Sequence, residues 1–178
     1  RDLLRDSAKM VRKQAEGLPL YYTEWSSCAT FGAPGNDTRK TAAYDVRAAL
    51  SSEDVIDGSS IWCFSDIFEE IHPFPEEFHG GFGMMTQHGI PKPIFHALRL
   101  LGQAGDKRLE LPGALDGEVS VAAFRDAADT QLTVLATKQN LHHFAGQSTP
   151  ATPVEIEVEL DAKPQSVQLC RIDEEHGN

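Results

Sequence analysis

The spacing of apolar residues changes near residue 105, and the change predicts two kinds of structure. Over residues 2–16, Leu4, Ala8, Val11 and Ala15 recur at helical spacing, and Gly17 supplies a stop. Leu18 to Glu24 is a short apolar and aromatic run, the pattern of a strand buried on both faces in a parallel sheet. "APGND" (33–37) reads as a loop. Asp37 is placed to N-cap a helix in which Ala42, Val46, Ala49 and Leu50 share one face. A second apolar strand is expected from about Ser60 to Ser65. It is followed by a long excursion, residues 67–92, rich in Gly, Pro and Phe. Pro93 suits a first helical position, Ile94, Ala97, Leu98 and Leu101 form a stripe, and Gly102 closes that helix.

Helix, strand, helix, strand, helix is the order of parallel strands joined by helical crossovers. Beyond residue 105 the period falls to two. Val119, Val121 and Ala123 alternate with their neighbours, as do Leu132, Val134 and Ala136. "VEIEVEL" (154–160) sets Val154, Ile156, Val158 and Leu160 against three glutamates, and "SVQLCRI" (166–172) is a fourth candidate strand. This is the pattern of an antiparallel sheet with one wet face. The expected boundary lies in "GDKRLELPG" (105–113), dividing the chain into 1–104 and 105–178.

Bulk properties narrow the function classes. With 178 residues, of which 40% are hydrophobic, the chain can form a sizeable core. A formal charge of −11 argues against nucleic acid and anionic membrane surfaces as partners, since both select basic patches. No apolar run approaches the ~20 residues of a membrane helix. Cys28, Cys63 and Cys170 are too few and too widely spaced for a zinc knuckle or a disulfide framework. They read as three buried thiols, which favours a reducing, cytoplasmic setting.

Candidate chemistry gathers at the strand ends, where both open and closed parallel sheets concentrate it. Glu24 ends the first strand, and Asp66, Glu69 and Glu70 follow the second. Two carboxylate sites facing one cavity suit nucleophilic or acid–base work, with glycoside hydrolysis the leading case. From the pattern alone, an isolated strand-end glutamate such as Glu24 is more often solvated or ion-paired than catalytic. Trp25 and Trp62 could be core, or platforms on which a sugar ring stacks. "HGGFG" (79–83) departs from GxGxxG and opens no helix, so it reads as a tight turn with glycine at positive φ. The seven histidines show no ligand spacing, and Ser26, Ser27 and Ser65 lack the GxSxG elbow. Neither a metal nor a cofactor is expected.

Three blocks in order, "YYTEWSS", "SIWCFSDIFEE" and "FHGGFGMMTQHGIPKPIFHALRLL", resemble glycoside hydrolase family 39, most closely its β-xylosidases. The resemblance implies α/β plus β architecture: the C-terminal portion of a (β/α)8 TIM barrel, with strands 7 and 8 and their helices, then part of an accessory antiparallel β-sandwich. It implies retaining hydrolysis of terminal β-D-xylosyl residues by double displacement. Glu24 matches the nucleophile, while Glu69, Glu70 and Trp62 match positions lining the sugar subsite. The substrate would be a xylo-oligosaccharide or β-xyloside.

One departure is an absence. The family's acid/base glutamate lies in an Asn-Glu-Pro motif, and no Asn-Glu pair occurs here. On this reading the chain is a C-terminal fragment, inactive alone, whose uncovered strand edges favour self-association. Two other readings are a non-catalytic carbohydrate-binding or structural β-module and an α-L-iduronidase-like glycosidase. The first needs aromatic platforms, and the β-region offers only Phe124 and Phe144. The second needs a cation for the substrate carboxylate, and residues 60–90 contain no Arg or Lys.

Overall fold

The computed structural model describes residues 2–68, 74, 76–139 and 153–176. Helix α1 (Leu3–Gln14) leads to strand β1 (Tyr21–Trp25) through a turn in which Gly17 adopts φ 85°. A short 3-10 helix, Pro34–Asp37, precedes helix α2 (Arg39–Ser52). Strand β2 (Gly58–Ile61) lies parallel to β1, as expected of strands linked by a helix. Helix α3 (Pro93–Gly102) starts at Pro93, then β3 (Lys107–Arg108), β4 (Val119–Arg125) and β5 (Leu132–Lys138) form an antiparallel sheet in that order.

One apolar cluster joins the helices to this sheet. Ala42, Val46 and Leu50 of α2 and Ile94 and Ala97 of α3 meet Ala122 and Phe124 of β4. Polar side chains fasten the same contact: Arg47 donates to Leu115 O and Ser120 Oγ, Arg108 to Leu50 O, and Gln139 to Ala43 O. Helix α1 buries only Ala8 fully and is held largely by its arginines. Arg12 reaches Val55 O at 3.0 Å and Asp57 at 2.7 Å.

Several expectations are corrected. Strand β1 is not buried on both faces: Tyr21, Thr23 and Glu24 are exposed, because β2 is its sole strand neighbour among the described residues. Strand β2 lies two residues early and stops at Ile61. The chain from Cys63 to Asp66 bonds instead to the returning segment Phe82–Met85. Asp37 is not the N-cap of α2. Thr38 holds that position, and the Asp37 carboxylate is used elsewhere. Gly102 is the last residue of α3 rather than its cap, which is Gln103.

In β4 the face carrying Ser120, Ala122 and Phe124 is buried most deeply, rather than that of Val119 and Val121, since α2 and α3 cover that side. Residues 154–160 and 166–172 form no strand. Alternation makes a segment able to pair, but pairing needs a neighbouring ladder, and Val154, Ile156, Val158 and Leu160 remain exposed. The tail is anchored beyond them, where Ile172 packs on the core cluster and Arg39 pairs with Glu174. None of the three cysteines is buried: Cys28 and Cys63 are partly covered and Cys170 is exposed, and all are free thiols.

Candidate active site

The end of β1 carries an extra residue. Tyr22 pairs with Ser59 and Trp25 with Ile61, so three steps along β1 match two along β2. Thr23 and Glu24 together oppose Ser60, which is a β-bulge. Without it, strict alternation would put Glu24 on the same face as Tyr22. That face belongs to the helices, since the Tyr22 hydroxyl lies 3.0 Å from Ser7 Oγ of α1. With the bulge, Trp25 takes the helix side and Glu24 turns to the open face. The burial pattern agrees, with Tyr22 and Trp25 half-buried and Thr23 and Glu24 exposed. No hydrogen bond or ion pair of Glu24 occurs among the described residues.

Trp62 lies beside this end, its amide bonded to Trp25 O at 2.8 Å. Its ring meets Phe68 edge-on at 5.9 Å. Phe68 belongs to an aromatic group centred on Phe31, which contacts Phe68, Phe74, His79 and Phe82 at 5.3–6.1 Å. Trp62 is thus half-buried and braced, and could offer only part of its ring to a ligand. Glu69 and Glu70 lie outside the described residues, as do His142, His143 and Phe144.

Asp66 does not join Glu24. Its side chain is 1% exposed, with Oδ2 2.7 Å from the Nζ of fully buried Lys92. Asp37 Oδ1 approaches the same Nζ at 2.5 Å, and Lys92 also donates to Gly81 O at 3.1 Å. The two carboxylates in turn accept from backbone amides, Asp37 from Gly80 and Asp66 from Gly83. One buried cation and two anions, with peptide donors on the outer oxygens, therefore lock "HGGFG" against the strand ends. The turn needs its glycines. Gly80 has φ 81°, and a Cβ on Gly83 would stand 2.2 Å from Ser65 C. Sequence reasoning missed this triad, although Lys92 was legible as the one cation following a stretch of acids.

Nearby, Glu77 is held below the usual carboxylate range by the Thr86 hydroxyl and by His88, which fits a structural rather than a proton-donating role.

The family model for glycosyl hydrolases family 39 matches residues 2–178. The chain belongs to that family. It is 32% identical over 161 residues to a β-xylosidase of Geobacillus stearothermophilus, covering 90% of this chain and 30% of that one. It is 29% identical over 184 residues to a β-xylosidase of Caldicellulosiruptor saccharolyticus, covering 98% and 35%. The chain thus spans about a third of these curated relatives. Among solved structures, the GH39 enzyme from Xanthomonas axonopodis pv. citri superimposes with a TM-score of 0.69 at 31% identity, over 83% of this chain and 29% of that one. A monomeric β-xylosidase from Caulobacter crescentus CB15 gives 0.59 at 35% identity, over 67% and 24%. Membership of the family makes this a glycoside hydrolase sequence with a mixed helix-and-sheet fold.

Proposed function

We propose that this chain supplies the nucleophile side of a retaining β-xylosidase, with Glu24 attacking the anomeric carbon of a terminal xylosyl residue. The observation that carries the reading is the bulge. It turns Glu24 onto the open face of a parallel sheet whose other face is occupied by helices. Parallel sheets are normally covered on both faces, so the open side fits strands 7 and 8 of a (β/α)8 barrel, with Glu24 at the rim. Residues 1–104 would form the last part of that barrel and 105–178 part of an accessory β-domain.

A retaining site needs a second carboxyl ~5–5.5 Å from the nucleophile. The described neighbours of Glu24 provide none, and the acid/base glutamate is assigned to sequence outside these 178 residues. Alone, the chain would turn over no aryl β-xyloside. Its exposed apolar side chains, Tyr21 on β1 at 62% and Phe64 just beyond β2 at 65%, favour association with covering strands or a second copy. Glu69, Glu70 and Trp62 are proposed to line the sugar subsite.

A neutral sugar suits the site better than a uronic acid. Residues 60–90 hold no Arg or Lys, and the nearest following cation, Lys92, is consumed by two carboxylates. The β-module reading is weakened by Phe124, which is core and only 6% exposed, so it offers no platform.

The test is Glu24→Ala in the complete enzyme, assayed on nitrophenyl β-xyloside with and without azide. Loss of turnover, restored by azide as a glycosyl azide of inverted configuration, is expected. Full activity in the variant would refute the assignment.

A further inference from the structure

Behind the Glu24 strand end, helix α2 presents a carboxylic acid where an apolar side chain would be expected. Asp45 is 1% exposed, and its Oδ1 has no hydrogen-bond partner among the described residues. Its side chain lines a small cavity of about 20 Å³, shared with Ser26, Ser27, Thr41 and Trp62. A cavity of that size admits a single water, which requires two or more polar partners. Asp45 Oδ1 is one. Thr41 and Ser26 line the same cavity; their hydroxyls donate to Gly35 O at 2.6 Å and Cys28 O at 2.9 Å, which leaves their oxygens free to accept from a water in an otherwise largely apolar wall. The Ser27 amide also acts on the Asp45 carboxyl, favouring its ionised form against a burial that opposes it.

We infer that Asp45 is a positioning residue for Glu24, tying helix α2 to the Ser26–Cys28 segment through the Ser27 amide and one water held in the cavity. The segment begins two residues after Glu24, directly beyond the bulge that aims it. A bulge fixes direction only if the chain on both sides is held. On the near side Tyr22 is held through Ser7, and on the far side Asp45 is a buried polar group lining the same cavity as Ser26, Ser27 and Cys28. Small displacements of a reacting carboxylate weaken catalysis more than binding, so the role has a kinetic signature. The inference rests on Glu24 being the nucleophile.

The experiment compares Asp45→Ala and Asp45→Asn. In the complete enzyme, Asp45→Ala is expected to lower kcat about tenfold with KM changed less than about twofold. Asp45→Asn keeps an acceptor and is expected to restore most of kcat. Amide hydrogen exchange at Ser27, read on the same proteins, should quicken in Asp45→Ala and stay near the parent rate in Asp45→Asn. Unchanged Ser27 exchange in both variants overturns the inference, as does equal loss of kcat in both. Azide rescue of Glu24→Ala is run alongside. If it fails, the nucleophile assignment falls. If it succeeds while Asp45→Ala keeps full kcat, the positioning role alone falls.

Discussion

Glu24 and Asp66 follow neighbouring parallel strands at the same end of the molecule, yet they are opposites. Asp66 is sealed from solvent, paired with Lys92, and fixed by the Gly83 amide. Glu24 is exposed and unpaired among the described residues, on a face that helices do not cover. Residues 37 and 45 extend the contrast, since Asp37 shares the buried cation and Asp45 is buried with no ion-pair partner among the described residues. A carboxylate at a strand end is therefore not a catalytic signal by itself. On the proposed reading, what separates a reactive carboxylate from a structural one is whether the partners on offer neutralise it before substrate arrives.

That contrast can be broken most sharply at Glu24. Glu24→Ala in the complete enzyme should reduce kcat by about 10⁴-fold, whereas Asp66→Asn should act mainly on stability; equal kinetic losses would erase the distinction. Next comes Lys92→Met, which leaves two buried carboxylates uncompensated and should destabilise by about 3–5 kcal/mol in urea unfolding.

The third test uses pH. Burial pushes the Asp45 carboxyl from its ordinary value up to about 7. The folded state therefore holds a proton that the unfolded chain releases. Its contribution to stability is complete below about pH 4, declines by about 1.4 kcal/mol per pH unit as pH rises toward 7, and is constant above that. Asp45→Asn should flatten this slope, gaining stability relative to the parent at pH 8 but not at pH 4. A parallel offset at both values would show that Asp45 does not titrate in this range.

Smaller effects probe the frame. Gly83→Ala drives a Cβ into the Ser65–Asp66 backbone and should lower stability by about 1–3 kcal/mol, visible as a lower Tm. The exposed Arg5–Asp54 pair lies at the far extreme. Asp54→Ala should change stability by about 0.2–1 kcal/mol, less in high salt. A loss as large as that of Lys92→Met would mean that burial is not what separates these ion pairs.

Much of the local structure was legible in the chain. Helical spacing in α1, α2 and α3 and the Pro93 start all appear, as does the parallel pairing of β1 with β2. These features follow from short-range rules of period and punctuation. The strands expected at 154–160 and 166–172 fail for the opposite reason, since a strand exists only when another ladder accepts it. Glu24 became a candidate from its place at a strand end and from the family blocks around it. Asp66 was grouped with it on the same positional argument and belongs elsewhere, because its partner Lys92 lies 26 positions along the chain and only folding brings the two together.

The amino-acid order by itself determined which residues could form helices and strands, where glycine had to stand, and which carboxylates were candidates for chemistry. Local backbone preference and side-chain period act within a few residues, so they can be read without a fold. Tertiary structure alone decided the direction of Glu24, the burial of Asp37, Asp66 and Lys92 as one triad, and the burial of Asp45. Each of these depends on what lies across the packing, a bulge measured against a neighbouring strand or a charge measured against its burial, and neither is written at a single position.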